Sequence, residues 1–189
     1  IHKTSNESMQ GKLVVISGAT SGVGLATLKE LAKGQAHIAL VVRNKEKAEK
    51  VKAQILETYP VPFDIFIADF SNLSDIKRVA KELLDSYPKI DVLINSVGIH
   101  STRRRFNPDG IEMCFCVNHL SVFLLTKLLQ DRMIKSAPSR IIQVNSEGHR
   151  FAGVKPKDVN FRRRIYTGLR GYGASKTAQL LTTWVIDKE

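Results

Sequence analysis

A short apolar, β-branched run, Leu13–Ser17, passes directly into Gly18-Ala19-Thr20-Ser21-Gly22-Val23-Gly24, and a helical apolar pattern follows to Lys33. No other feature constrains the chain as much. Glycines spaced Gly-x-x-x-Gly-x-Gly let the backbone turn tightly between strand and helix. They also leave the N–H groups at the helix start open to an anion. A strand, a glycine turn and a helix in that order is therefore a nucleotide-binding arrangement when it begins a chain of βαβ units.

The alternation that would make it so continues along the sequence. His37–Val42 and Phe63–Ala68 read as buried strands, with a charged helix, Lys45–Glu57, between them. Ser74–Tyr87 is amphipathic, with Ile76, Val79, Leu83 and Leu84 on one face. Asp91–Ile94 is a fourth strand, and a polar loop through Pro108 leads to a long helix at about Ile111–Met133. Ser139-Arg140 opens a fifth strand to Val144, a loop runs from Glu147 to about Arg170, and a last helix fills Tyr172–Asp187. That loop is long for a compact domain, which marks it as functional rather than connecting. Five alternations predict an α/β fold, a doubly wound parallel sheet of Rossmann type.

With 189 residues, 43% hydrophobic and 25% charged, the chain suits one globular domain and neither disorder nor a disulfide scaffold. We read residues 1–10 as a polar tail and 11–189 as the dinucleotide-binding domain. The longest apolar run, Leu120–Leu129, is interrupted by Ser121, Thr126 and Lys127, so no membrane span is expected. The start, Ile1 to Ser8, is polar and has no signal-peptide pattern. Its Ile, standing where a Met would open translation, leads us to expect a chain that begins downstream of the start codon.

The net charge of +11 raises the question of a polyanionic partner. The basic residues are scattered, however, and the runs Arg103–Arg105 and Arg162–Arg164 carry little aromatic interleaving. Solvated loops are the expectation, with no nucleic-acid partner. Cys114 and Cys116 stand two apart in a helix and so point to different sides. They read as buried reduced thiols of a cytoplasmic or other reducing compartment, with peripheral membrane association left open and no metal site.

The glycine spacing resembles the TGxxxGxG fingerprint of the short-chain dehydrogenase/reductase family, with Ser17 in place of Thr. Gly18, Ser21, Gly22, Val23 and Gly24 are then the candidate phosphate cradle. The second strand should end on the group that reads the ribose, and here it ends Val42-Arg43-Asn44, without a carboxylate. An arginine bonds a 2′-phosphate, whereas an acid repels one. NADP-preferring members similarly carry Arg here, so the resemblance implies NADP(H) in preference to NAD(H), held by Arg43 and Asn44 with Lys45 or Lys47 assisting. Asp69-Phe70 resembles the family's adenine-binding segment. Asn95-Ser96-Val97-Gly98 resembles its NNAG segment, departing at two positions. Gly98 keeps the backbone open there, Asn95 can lock neighbouring strands, and Val97 adds bulk near the expected adenosine.

Tyr172 and Lys176 are one helical turn apart and face the same way. A phenol of pKa near 10 is a poor acid–base unless a cation favours its anion, and Lys176 can be that cation. Ser146 ends the fifth strand, at the edge where open α/β sheets bind ligands, and Asn118 lies on the long helix. In chain order these resemble the family's tetrad, which maps to Asn118, Ser146, Tyr172 and Lys176, with Tyr172 and Lys176 also at the cofactor. Tyr166, with Arg170 four residues on, competes with Tyr172, but Gly168 between them weakens a helical pairing. His119 and His149 read as packing or surface residues.

Val117-Asn118-His119-Leu120, Phe123-Leu124-Leu125-Thr126 and Ser136–Ile141 look like the retinol dehydrogenase-like subgroup. Its interval from Ser to Tyr is similarly long. Asn145 and Glu147 beside Ser146 depart from the usual Ser-Ser pair. The resemblance implies hydride transfer between the cofactor and a lipophilic carbonyl or alcohol such as a retinoid, steroid or aliphatic aldehyde. A non-catalytic nucleotide-binding or scaffold protein is the alternative on the same fold, and a homodimer is compatible with either. The motif order stops in the helix of Tyr172 and Lys176, after five strands. We therefore expect the C-terminal strands of the sheet to lie beyond Glu189, in a chain longer by ~60–110 residues.

Overall fold

A computed structural model describes residues 8–188. Five strands, β1 (Leu13–Ser17), β2 (His37–Val42), β3 (Phe63–Ile67), β4 (Val92–Asn95) and β5 (Arg140–Gln143), form one parallel sheet in the order β3-β2-β1-β4-β5. This is the expected doubly wound topology. The order reverses between β1 and β4, where Ser17 lies level with Val41 on one side and Asn95 on the other. Strands with aligned carboxyl ends at a reversal leave a crevice above them.

Both sheet faces are covered, which is why β1 and β2 are continuous apolar runs. Val14, Ile16, Ile38 and Leu40 pack with Leu28 and Ala32 of α1 (Gly22–Lys33) and with Val51 and Ile55 of α2 (Lys45–Thr58). On the other face Val15, Ala39, Val41 and Leu93 meet Ile76, Val79 and Leu83 of α3 (Leu73–Ser86) and Leu125 and Leu129 of α5 (Ser121–Lys135).

The expected single helix at Ile111–Met133 is present as Met113–Lys135, with its hydrogen-bond pattern changed part-way. A one-turn helix, α4 (Met113–Phe115), runs into a π-type turn, Cys116–Leu120, and only then into α5. The Glu112 carboxylate starts it by accepting the amides of Cys114 (3.0 Å) and Phe115 (2.8 Å). As one stretch, Met113–Lys135 has 23 residues, long and apolar enough by length and composition to cross a membrane. Ser121, Thr126 and Lys127 interrupt its apolar run. In the fold its apolar side serves the core through Leu125, Leu129 and Met133.

The last helix, α6 (Gly168–Ile186), begins four residues before its expected start, because Thr167 caps it by accepting the Arg170 amide at 3.2 Å. The loop before it carries two short 3-10 turns, Glu147–Phe151 and Pro156–Asp158. Residues 1–7 of the expected tail lie outside the described residues. Met9 is tied to the domain, its amide donating to the Gly34 carbonyl at 2.7 Å.

Candidate active site

The turn after β1 is interlocked with the segment after β4. Gly18 has a φ of +69°, and a Cβ on it would stand 2.5 Å from the Val97 Cα. A Cβ on Gly24 would stand 2.8 Å from the Gly18 carbonyl oxygen. Only glycine allows both approaches. Gly22, at a φ of +55°, faces open space. Val23 is 67% exposed.

Above the strand ends lies a cleft of about 540 Å³. Among the residues singled out from sequence, Gly18, Ser21, Arg43, Asn44, Asp69, Phe70 and Gly98 line it. Gly22, Val23, Gly24, Asn95, Tyr172 and Lys176 are not part of that lining. Asn44 caps α2 through the Lys47 amide at 2.8 Å. The Asp69 carboxylate accepts the amide and the hydroxyl of Ser71, both at 2.9 Å. Phe70 is buried, and its carbonyl accepts the Ser121 hydroxyl at 2.6 Å. Asn95 is also buried, and its amide donates to Thr126 at 3.0 Å. That bond ties β4 to α5. Lys47 and Arg105 join Arg43 on the cleft wall.

Beside the cleft the four tetrad candidates come together around two glycines. Asn118, fully buried in the π-type turn, accepts the Ile99 amide (2.7 Å) and donates to the Ile99 carbonyl (2.9 Å) and the Ser175 hydroxyl (3.0 Å). Asn118 Oδ1 and Lys176 Nζ flank Gly98, each 3.7 Å from where its Cβ would be. Lys176 Nζ donates to the Val144 carbonyl and to Gln179 Oε1, both at 3.0 Å. Burial lowers the pKa of this ammonium to about 8. It lies 5.9 Å from the Tyr172 ring centroid.

At the second glycine, a Cβ on Gly148 would stand 2.6 Å from Tyr172 Cε1 and 3.3 Å from Ser146 Oγ. The Ser146 hydroxyl oxygen accepts the Gly148 amide at 3.1 Å. His100, on the cleft wall, meets the Tyr172 ring edge-on at a centroid distance of 5.7 Å.

The competing candidates have structural duties. The Tyr166 hydroxyl lies 3.0 Å from the Ser101 carbonyl and 3.1 Å from Glu112 Oε1. Burial and the Glu112 charge push its pKa up, which makes it a poorer acid–base. Arg170 donates to the Ile165 carbonyl at 3.4 Å. His149 Nδ1 lies 2.8 Å from the Ser146 carbonyl. His119 is buried between Phe115 and Phe123, where desolvation lowers its pKa to about 4. Cys114 and Cys116 are free and buried, and burial, then the Glu112 charge, pushes the Cys114 thiol up to about 11. Among the described residues no group of His, Cys, Asp and Glu is arranged to hold a metal.

Four residues of this region were not anticipated: Gly148, His100, Gln179 and Arg105. Gly148, two residues past a strand-end serine, had a readable signal. A run of three arginines gave none for Arg105 over its neighbours.

The family model for short chain dehydrogenases matches residues 12–186. Human retinol dehydrogenase 13 is 36% identical over 180 residues, covering 95% of this chain and 54% of that protein. A protein of Streptomyces sp. (strain C5) named for daunorubicin C-13 ketoreduction is 35% identical over 181 residues, covering 96% and 62%. The chain thus spans a little over half the length of these curated relatives. The crystal structure of an uncharacterised protein from Mycobacterium paratuberculosis superposes with a TM-score of 0.84 at 33% identity, covering 96% of this chain and 63% of that one.

Proposed function

The chain belongs to the short-chain dehydrogenase/reductase family, and from that premise we propose that it is an NADP(H)-dependent oxidoreductase interconverting a lipophilic carbonyl and its alcohol. One observation carries the reading. Asn118, Ser146, Tyr172 and Lys176, drawn from a π-type turn, the segment just after β5 and a helix, converge on Gly98 and Gly148 at the carboxyl edge of the sheet.

The cleft fits a dinucleotide. Gly18 and Gly24 leave the backbone bare where a pyrophosphate would approach the start of α1. Arg43, with Lys47 and Arg105 on the same wall, supports a 2′-phosphate in preference to a free hydroxyl. The bound cofactor supplies or accepts a hydride at its nicotinamide ring.

Everything else falls to the protein. Ser146 already accepts the Gly148 amide, so its own O–H hydrogen is available to a substrate carbonyl oxygen. Tyr172 gives its proton to that oxygen in reduction and takes it back in oxidation. Lys176 holds its ammonium 5.9 Å from the Tyr172 ring centroid. Two of its hydrogens serve Val144 and Gln179, which leaves the third uncommitted. Asn118 holds Ile99, and with it the Gly98–His100 segment, against α6.

The lipophilic substrate class is supported by the names of the relatives, and a reducing compartment by the two free buried cysteines. The test is NADPH oxidation by the purified chain across a panel of lipophilic aldehydes and ketones, with Tyr172→Phe alongside. Turnover by the parent, lost in Tyr172→Phe with NADPH binding retained, is the expected result. NADPH binding without turnover on any substrate would instead favour the nucleotide-binding scaffold.

A further inference from the structure

The two arginine runs, some sixty residues apart in sequence, meet on one face. Arg104 donates to the Phe161 carbonyl at 2.5 Å, and the Arg164 guanidinium lies 4.2 Å over the Phe161 ring. Arg104 and Arg164 thus share Phe161 as their floor. Arg103, Arg162 and Arg163 are exposed around it.

The loop between Ser146 and α6 extends this cationic face. Its two carboxylates are already committed, Glu147 to Arg150 at 2.8 Å and Asp158 to Arg164 at 3.2 Å. Lys155, Lys157, Arg162, Arg163 and Arg170 are left without an ion-pair partner among the described residues.

Large apolar side chains stand exposed among these cations: Ile165 at 76%, Phe151 at 59% and Leu169 at 56%. A hollow of about 490 Å³ joins the two characters, lined by Phe151, Val154 and Ile165 together with Lys155 and Arg170. Soluble surfaces seldom leave large apolar side chains clustered without a use. A surface of unpaired cations with aliphatic side chains rising between them matches the interface of an anionic bilayer, where charge meets the headgroups and the side chains enter the acyl boundary.

We propose that this face, built from residues 103–106 and 150–170, docks the protein on an anionic lipid bilayer. Duplex nucleic acid would use the same charge but offers no acyl layer for Ile165, Leu169 and Phe151 to enter. The proposal is independent of the catalytic reading, and its test measures no activity.

The experiment is co-sedimentation of the purified chain with vesicles of phosphatidylcholine alone and with 30% phosphatidylserine, taken here as a composition of roughly cytoplasmic-leaflet charge. Binding to the phosphatidylserine vesicles, weakened by salt and absent from neutral ones, is expected. Each cation near the surface contributes about fivefold, so Arg162→Gln with Arg163→Gln should weaken partitioning by roughly twenty-fivefold. Ile165→Ser with Leu169→Ser should weaken it by at least about tenfold while preserving the charge. All four positions are exposed, and circular dichroism confirms that each variant is folded. Three outcomes overturn the proposal: no binding to phosphatidylserine vesicles at low salt, full binding by the apolar double variant, or equally tight binding to random-sequence duplex DNA.

Discussion

Asn118 holds Ile99 by both of its main-chain polar groups, accepting the amide at 2.7 Å and donating to the carbonyl at 2.9 Å. Beyond the end of β4 no neighbouring strand satisfies these groups, and a single side chain does so instead. Its bond to Ser175 carries the clamp to α6, one residue before Lys176.

Asn118→Leu should therefore destabilise the fold as well as stop turnover. It leaves two main-chain groups without their partner, while the Ser175 hydroxyl keeps its bond to the Tyr172 carbonyl at 2.6 Å, and the cost is about 3 kcal/mol. Urea unfolding of parent and variant measures this, and an unchanged midpoint would show that water replaces the clamp.

Gly18 and Gly22 both have positive φ, yet they should differ in tolerance. Gly22→Ala meets open space and bears only the left-handed backbone cost, about 1–2 kcal/mol. Gly18→Ala adds a Cβ 2.5 Å from the Val97 Cα, so β1 or β4 must move as well. We expect Gly18→Ala to lower the melting temperature further and to weaken NADPH binding more. Equal losses would mean that the contact between the two segments yields without cost.

Lys176 makes stability depend on pH. Burial lowers its folded pKa to about 8 from 10.5, so between those values the unfolded chain binds more protons than the folded one. Stability from this group therefore rises with pH across that window, and the charged form is disfavoured below it. The full difference is about 3 kcal/mol. Urea titrations at several pH values between 7.5 and 10.5 should show this rise in the parent, and a flatter profile in Lys176→Met. A parent profile no steeper than that of Lys176→Met would place the ammonium in water.

The fold was legible because it depends on short-range pattern. β1 and β2 fall at the residues expected, since buried parallel strands are apolar runs bounded by turns. The π-type turn within the long helix, at Cys116–Leu120, was not legible. The apolar spacing continues through it, and what accompanies it, the Glu112 carboxylate on one side and Ile99 at Asn118, comes from side-chain contacts that periodicity does not record. The four tetrad candidates could be picked out by order and spacing, and the fold brings them together around Gly98 and Gly148. The supporting residues could not, because Gln179 and His100 matter only through what the folded chain brings beside them. The same holds for Asn95. Its position at a strand end suggested a lock between strands, and the side chain instead bonds Thr126 on α5.

Arg43 provides the sharpest test of the cofactor assignment. It stands at the end of β2 on the cleft wall, where a carboxylate would exclude a 2′-phosphate and a guanidinium holds one. A phosphate bound there would be solvated as well as charged, so the loss should be that of one charge-assisted bond, about 1.5–3 kcal/mol. Arg43→Asp should raise the dissociation constant for NADPH by roughly ten- to a hundredfold and leave that for NADH unchanged or lower, both followed by fluorescence titration. Arg105→Ala separates the cations on this wall. If Arg105 reaches the same phosphate, its loss weakens NADPH selectively; if it faces the pyrophosphate common to both cofactors, NADPH and NADH weaken together. Equal weakening of the two cofactors by Arg43→Asp would remove the 2′-phosphate from Arg43 and the preference for NADP(H) with it.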